Sequence, residues 1–362
     1  MRYRLLICLM AAVGVTNAVA VAGDGFALKG KPKVAMLYFK AKNDGGFTQS
    51  ADEARIRMEK DLGSPIAYVE NIAENRSVIV PAAEKFIQRG YNIIIGGGYG
   101  FSDALKELGE KYPDVAFINP GGFTNAANLE SVYARTYEPH YLCGMVAGAM
   151  SKSGKLGFVA ANPFGVVNWT INAFELGAKK MNPNATTTAV FTGAWNDPVK
   201  ERAATTALID GGAEVIDQHV DTPTPQIVAQ ERGVYSTGHH RDLSEFAPKA
   251  NLCSSVWVWD RFYVPTIKKI EDGTWKPGAF GAFPGLADPT DPNDVACCNA
   301  VVPKDVVAKV MAERDAIIHG KQVYAGPLSD GDGKERVAAG QVLGDADLWK
   351  MDWFVPGVIA QK

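Results

Sequence analysis

The chain has 362 residues, of which 47% are hydrophobic and 21% charged, an ordinary composition for a globular protein. Its formal net charge at pH 7 is only −3, so neither nucleic acid nor an anionic membrane surface is indicated as an electrostatically bound partner. The length predicts about two domains of the usual size.

The N-terminus carries the pattern of a secretory signal peptide. Arg2 and Arg4 precede a short apolar run, and Ala18-Val-Ala20 is a small-residue cleavage site. The apolar run is too short to span a membrane, and no later run approaches the ~20 apolar residues that a span needs. We therefore expect residues 1–20 to be cleaved and the remaining chain to be exported to the periplasm as a soluble protein.

Apolar strand patterns alternate with helical patterns through the first third of the chain. The strand pattern Lys33–Leu37 is followed by the turn Lys42–Ser50 and then by a helical pattern whose apolar residues recur every three or four positions from Ala51. Further strands are predicted at 67–70, 91–95 and 115–118, with helices at 78–89 and 102–111 between them. This alternation predicts βαβ units, a parallel sheet and hence an α/β fold.

The chain repeats this pattern once, at an offset of 122 residues. Lys33–Leu37 falls on Lys155–Val159, and the match continues for about 60 residues with equal gaps, although two generic βα units could also agree by chance. Two similar halves predict two lobes that face a shared cleft, because open parallel sheets bind ligands outside the carboxyl ends of their strands. The offset places Phe47 on Trp169, so each wall of the cleft is expected to offer an aromatic.

Six short motifs follow one another along the chain. They are Asp44-Gly-Gly-Phe-Thr-Gln49, Gly96–Ala104, Glu138–Gly144, Gly193–Asp197, Gly211–Ile216 and Gly273–Trp275. In order and spacing they resemble the motifs of the basic membrane protein family, periplasmic solute-binding proteins that serve ABC importers as purine-nucleoside receptors. The resemblance runs from near Pro32 to near Ala325.

The resemblance implies a type I periplasmic binding fold, in which two Rossmann-like lobes with parallel sheets are joined by a hinge. Lobe one is then expected at residues 24–145 and 258–287, and lobe two at residues 146–257 and 288–362. It further implies a monomeric receptor without catalysis, which delivers a small molecule to a membrane permease. Neither a cofactor nor a nucleic-acid partner is expected.

The resemblance also implies a binding site. Phe47 and Trp195 would sandwich a purine, Asp44 and Gln49 would contact its polar edge, and Asp103 is a further candidate contact. Stacking on an aromatic contributes ~1–3 kcal/mol per base, while hydrogen bonds to the edge supply specificity. From the residues alone, Phe47 could equally be a core aromatic and Asp44 a helix cap.

Two departures from the family pattern favour a bare nucleobase over a nucleoside. His240 stands where the family has a ribose-binding aspartate, and Trp257 stands where it has a ligand-contacting lysine. Both are flatter and less polar than the groups that suit sugar hydroxyls, although Trp257 could instead pack the core beside Trp259. Adenine is the first expectation, because the Asp44 carboxylate accepts well from its 6-amino group. A purine nucleoside or another planar heterocycle is the alternative.

The glycine-rich stretch Gly96-Gly-Gly98 suggests a second alternative, a dinucleotide-binding loop. Phe101 occupies the last glycine position of that motif, and no acidic residue stands about 20 residues further on to bind a ribose. Nucleophilic hydrolysis is also disfavoured, since no Gly-x-Ser-x-Gly motif is present.

A third alternative is an exported metal protein or enzyme that uses His239 and His240. His140, His219 and the vicinal Cys297-Cys298 could contribute, but no spacing matches a zinc site, and neighbouring residues of a strand point to opposite faces. We expect one histidine in the cleft and one packed or solvated. The disulfide state of the four cysteines after the signal peptide, Cys143, Cys253, Cys297 and Cys298, is left open.

Overall fold

The computed structural model describes residues 26–297 and 299–361. The predicted signal peptide, residues 1–20, and Cys298 lie outside the described residues. Within the part that is described, none of the helices combines the length and the apolar character that a membrane span needs.

The first third of the chain forms a five-stranded sheet of order β2-β1-β3-β4-β5, in which every pair of neighbours is parallel. The strands are β1 Val34–Leu37, β2 Ala67–Val69, β3 Ile93–Ile95, β4 Ala116–Pro120 and β5 Leu129–Val132. Helices α1 Phe47–Leu62, α2 Arg76–Ile87 and α3 Ser102–Lys111 connect the first four. The central strands β1 and β3 are unbroken apolar runs, as expected for a sheet that is covered on both faces.

The remaining chain forms a seven-stranded sheet of order β11-β10-β9-β8-β6-β7-β14, parallel except for the antiparallel pair β10 and β11. Its strands are β6 Lys155–Ala160, β7 Thr186–Phe191, β8 Val215–His219, β9 Tyr235–Gly238, β10 Asn251–Trp257, β11 Asn293–Cys297 and β14 Val358–Gln361. The helices are α4 Tyr137–Met150, α5 Gly165–Met181, α6 Pro198–Asp210, α7 Thr224–Glu231, α8 Asp260–Glu271, α9 Lys304–Ile318 and α10 Asp345–Trp349. The strands β12 Leu328–Ser329 and β13 Glu335–Val337 form a separate ribbon.

This architecture confirms the predicted α/β fold with two Rossmann-like lobes on parallel sheets. Helices α2 and α6 begin 122 residues apart, as do α3 and α7, in agreement with the sequence repeat. Helices α1 and α5, however, begin only 118 residues apart. Phe47 therefore opens α1, whereas Trp169 lies one turn inside α5.

The chain passes between the two sheets three times. It goes from β5 to α4 through residues 133–136, from β10 to α8 through residues 258–259, and from α8 to β11 through residues 272–292. Helix α8 packs on α1, where Arg57 Nη2 lies 2.7 Å from Asp260 Oδ1. The expected lobe boundary at residues 145 and 146 falls inside α4, and the exact division of the chain into lobes stays a prediction.

Helices α4 and α5 touch through their backbones. A Cβ atom on Gly144 would lie 2.0 Å from the backbone oxygen of Phe174, and one on Gly177 would lie 1.9 Å from that of Tyr141. Glycine at both positions permits this approach, so the two helices pack closely in the core of the second lobe. On the opposite side of α4, the Sγ atoms of Cys143 and Cys253 are 3.3 Å apart.

Candidate functional site

A cavity lies between the two sheets, at the carboxyl ends of their strands. Its space, including the part that is open to solvent, is about 580 Å³. Six of its lining side chains are aromatic, two are histidines and two are carboxylates, and glycines and a valine supply the rest. The lining residues are Phe39, Phe47, Glu74, Gly97, Gly98, Tyr99, Gly121, Tyr133, Val166, Trp195, His219, Asp221, His240 and Trp349.

The turn between β1 and α1 uses its polar side chains to hold its own backbone. The Asp44 carboxylate accepts hydrogen bonds from the N–H groups of Gly46 (2.9 Å), Thr48 (3.2 Å) and Gln49 (3.0 Å). The Gln49 amide oxygen accepts from the Gly45 N–H at 3.0 Å. Burial raises the pKa of Asp44, and the backbone donors partly offset the rise. Asp44 and Gln49 therefore stabilise the start of α1, and both lie outside the cavity lining.

The two glycines of this turn bring it against the second lobe. A Cβ atom on Gly46 would lie 2.1 Å from the backbone oxygen of Asp221, and one on Gly45 would lie 2.7 Å from the Pro223 ring. Gly45 also has φ +81°, which glycine adopts without strain. The turn before α1 and the turn after β8 therefore meet directly at the edge of the cavity.

Phe47 and Trp195 both line the cavity, one from each lobe. The half-buried Phe47 ring meets the rings of His240 and Trp257 edge-on, with centroid distances of 5.6 Å and 6.3 Å. The half-buried Trp195 ring, from the second lobe, lies 5.9 Å from the ring of His219. The structure therefore brings together the two aromatics that the family resemblance indicated for a sandwich.

Three other residues named from the sequence lie outside the lining. Trp169 is fully buried in α5, where its Nε1 donates to Thr136 Oγ1 at 2.9 Å. Asp103 is exposed in the first turn of α3. Trp257 is 4% exposed at the end of β10 and lies behind His240. The shorter offset between α1 and α5 explains why Trp169 does not line the cavity, because it moves that side chain from the edge of the cleft into the core.

His240 reaches the cavity because the chain changes direction after β9. His239 and His240 follow the last residue of that strand, and His240 has φ +75°. Their rings lie side by side with centroids 3.9 Å apart, so the expectation of opposite faces fails here. Alternation holds only inside a regular strand. As a result, His240 lines the cavity while His239 packs behind it.

Both rings belong to a cluster of four buried histidines, completed by His140 and His219. His140 Nδ1 lies 2.9 Å from Asp217 Oδ2, and His140 Nε2 lies 3.1 Å from His239 Nδ1. Burial lowers the pKa of His219 and His239 well below the usual range, and neighbouring histidines lower it further. Among the described residues, no group of His, Cys, Asp or Glu side chains has the arrangement of a metal site.

The two carboxylates of the cavity, Glu74 and Asp221, were missed by the sequence analysis. Asp221 Oδ1 lies 2.9 Å from His240 Nε2, and Glu74 Oε1 accepts from the Gly100 N–H at 2.8 Å. Loss of hydration raises the pKa of the Glu74 carboxyl, and the Asp221 charge adds to the rise. The sequence did contain a signal, because the 122-residue offset places Tyr99 on Asp221 and both follow corresponding strands.

Four aromatic lining residues were missed as well, namely Phe39, Tyr99, Tyr133 and Trp349. Tyr99, after β3, stacks on Phe164, before α5, with a centroid distance of 5.9 Å and an interplanar angle of 19°. This pair bridges the two lobes beside the cavity. Tyr133 and Trp349, 6.0 Å apart, line the cavity as well. Nothing in their local sequence distinguishes them from core aromatics.

The cavity suits a flat ligand with apolar faces and polar edges. Aromatic walls stack on such faces, with ~1–3 kcal/mol per base where the ligand is a nucleobase. Ionised carboxylates only accept hydrogen bonds, so Glu74 and Asp221 require donors on the ligand. The arrangement is one of capture between two lobes, with the ligand held from both sides.

Comparison with solved structures agrees with this two-lobed fold. Solved structures with the same fold include an ABC transporter solute-binding protein from Conexibacter woesei, at a TM-score of 0.66 and 24% identity, covering 80% of this chain and 97% of that one. A transcriptional activator of the comK gene from Bacillus halodurans has a TM-score of 0.71 and 22% identity, covering 80% and 99%. At these identities the likeness concerns the fold.

The sequence comparisons identify the family. Residues 31–284 match the model of the Bmp family, described as PnrA-like ABC transporter substrate-binding proteins. A purine-binding protein of Brucella abortus is 33% identical over 338 residues, covering 91% of this chain and 93% of the relative. A putative ABC transporter glucose-binding protein of Haloferax volcanii is 32% identical, covering 83% and 76%. The chain belongs to the Bmp family of ABC transporter substrate-binding proteins, as its motifs predicted.

Proposed function

We propose that this protein is a receptor that captures a purine base, with adenine as the first candidate, in the cavity between its lobes. The observation that carries the proposal is the combination of six aromatic side chains and two carboxylates around one cavity. The Brucella relative, whose name records purine binding, supports the ligand class.

In the proposed complex, Phe47 and Trp195 face the two sides of the base. Asp221 and Glu74 accept hydrogen bonds from N–H groups on its edges. Asp44 and Gln49 act on the base through the turn that positions Phe47, since their oxygens already accept backbone N–H groups.

The bare base is favoured over the nucleoside because the wall beside Asp221 consists of large rings. The His240 ring lies against Asp221, and the Phe47 ring packs edge-on against His240. A sugar next to the Asp221 carboxylate would have to displace the His240 or the Phe47 ring. An unpaired hydroxyl held against a ring costs ~1–3 kcal/mol. Adenosine is therefore expected to bind more weakly than adenine.

A nucleoside or another planar heterocycle is the second candidate. The pair of carboxylates favours the nucleoside. Glu74 and Asp221 stand on different lobes, and carboxylates also accept hydrogen bonds from sugar hydroxyls. In either case we propose a monomeric periplasmic receptor that is exported by a cleaved signal peptide, works with a membrane permease and leaves its ligand chemically unchanged.

Mass spectrometry of the ligand released from denatured protein tests the proposal. The expected result is a purine base at a stoichiometry near one per chain in protein purified without added ligand. A released sugar, or a nucleoside with no free base, would refute the proposal that the ligand is a bare purine base. Recovery of adenine unchanged after prolonged incubation with the protein checks the absence of catalysis.

A further inference from the structure

Trp257 holds His240 by two hydrogen bonds. Its backbone N–H donates to His240 O at 2.8 Å, and its indole Nε1–H donates to His240 Nδ1 at 3.0 Å. Because an indole nitrogen is only a donor, Nδ1 must be the acceptor nitrogen, and the hydrogen of the neutral ring lies on Nε2. Nε2 faces Asp221 Oδ1 at 2.9 Å, a close contact that is not aligned as a straight hydrogen bond. Trp257 is itself fixed by stacking on Trp259 at 4.2 Å.

Thr170 fixes His219 in the opposite tautomer. The Thr170 hydroxyl donates its one hydrogen to Val167 O at 2.7 Å, so it can only accept from His219 Nδ1, 3.0 Å away. His219 Nε2 is then the bare nitrogen of the ring, and the Tyr133 hydroxyl lies 3.4 Å from it. The lowered pKa of His219, caused first by burial, agrees with a neutral ring.

We propose that Trp257 and Thr170 are positioning residues that lock the two cavity histidines in opposite neutral tautomers and thereby keep the cavity rich in hydrogen-bond acceptors. His240 offers Asp221 a neutral N–H rather than a cation, so the carboxylate keeps its charge for the ligand. The acceptors that remain for a ligand are the carboxylates of Asp221 and Glu74, because the bare nitrogen of His219 is paired with the Tyr133 hydroxyl.

This inference rests on the proposed function only where it names the ligand. An acceptor-rich cavity selects purines that carry several N–H groups, as adenine does in its amino group and imidazole ring. A purine without the amino group leaves a buried acceptor unpaired, which is the strongest basis for discrimination in such sites.

The groups that surround His240 leave its tautomer to Trp257. Asp221 faces the ring from the turn after β8 and His219 from the end of that strand, His239 faces it from its own turn, and α1 meets it with the phenyl ring of Phe47. Since the Trp257 indole N–H occupies Nδ1, the ring cannot carry a hydrogen there. Removing the indole N–H should therefore allow His240 to adopt the other tautomer.

Nitrogen NMR of the full chain with labelled histidines, recorded without ligand, tests the lock. The wild type is expected to carry the hydrogen on Nε2 of His240 and on Nδ1 of His219. In Trp257→Phe, the hydrogen of His240 should be found on both ring nitrogens. A wild-type His240 that carries its hydrogen on Nδ1 overturns the proposal, and so does a Trp257→Phe spectrum identical to that of the wild type.

Control variants separate the lock from general packing. Trp275→Phe removes the N–H of an indole that donates to Glu130 Oε2 at 2.8 Å, outside the cavity lining, and should leave His240 as in the wild type. Thr170→Val should release His219 from its tautomer, whereas Thr170→Ser, which keeps the hydroxyl, should preserve it. A release of His219 in Thr170→Ser equal to that in Thr170→Val would overturn the role of Thr170.

Calorimetry with adenine extends the test to binding. In Trp257→Phe, adenine affinity should fall roughly 5- to 10-fold, because His240 is no longer held with its N–H toward Asp221. A Trp257→Phe affinity equal to that of the wild type overturns the coupling. If the wild type does not bind adenine at all, the proposed function fails, while the NMR result still decides the lock.

Discussion

Asp44 in the first lobe and Asp221 in the second both follow parallel strands but do different work. The turns that carry them touch through Gly46. The Asp44 carboxylate accepts three backbone N–H groups. Among the described residues, the one polar contact of the Asp221 carboxylate is with His240. A carboxylate at a strand end is therefore available to a ligand only where the following helix does not already use it as a cap.

The largest effect is expected where the two turns meet. Gly46→Ala places a Cβ against the backbone oxygen of Asp221, which cannot move as a flexible side chain can. We expect the closed arrangement to lose about 3 kcal/mol, or roughly a hundredfold in adenine affinity. Small-angle scattering with saturating adenine should show a more open molecule. Gly331→Ala, whose Cβ would meet its nearest atom at 3.9 Å, is the matched control and should behave as the wild type.

Asp221→Asn should weaken adenine binding by about 1.5–3 kcal/mol, roughly 10- to 150-fold, because a charged acceptor becomes a neutral amide. The thermal midpoint should stay close to that of the wild type, since no backbone donor depends on this carboxylate in the part of the chain that is described. Calorimetry paired with thermal unfolding measures both. Unchanged affinity would remove Asp221 from the site.

Phe47→Ala should weaken adenine binding by ~1–3 kcal/mol, roughly 5- to 150-fold, through the lost stack. Trp169 supplies the contrast, because it is fully buried at the position that the sequence repeat equated with Phe47. Trp169→Phe should lower the free energy of unfolding and leave adenine affinity within about threefold of the wild type. A Trp169→Phe loss of affinity equal to that of Phe47→Ala would contradict the assignment of Trp169 to the core.

The smallest effect is expected for Asp44→Ala. Its helix-capping bonds contribute about 0.5–2 kcal/mol to the free energy of unfolding, so the variant should be destabilised by that amount. Adenine affinity should fall less than in Asp221→Asn, because the effect reaches the ligand only through the position of Phe47. Urea unfolding and calorimetry separate the two quantities. A loss of affinity larger than that of Asp221→Asn would restore the direct contact that the sequence first suggested for Asp44.

The sequence predicted the fold well because the fold depends on periodic patterns. Alternating apolar strands and helices, repeated at a constant offset, indicated two parallel sheets and strand ends that face a cleft. The motifs identified the family, and Phe47, Trp195 and His240 do line the cavity. The family resemblance indicated these residues, and each of them lies on a turn after a strand or opens the helix that follows one.

The remaining site residues depend on distances that a sequence does not contain. The starts of α1 and α5 are 118 residues apart rather than 122, and this difference of four residues places Trp169 in the core. A positive φ at His240 turned its ring beside that of His239. Asp221 was within reach of sequence reasoning, because the 122-residue repeat extends past β3 and β8 to the pair Tyr99 and Asp221. Glu74 was not, since it reaches the cavity from the loop before α2.

Calorimetric titration of the purified wild-type protein and Asp221→Asn with adenine and with adenosine tests the central claim most directly. The account predicts that the wild type binds adenine more tightly than adenosine and that Asp221→Asn loses roughly 10- to 150-fold in adenine affinity. Adenosine binding as tightly as adenine, or an Asp221→Asn variant with full adenine affinity, would contradict it.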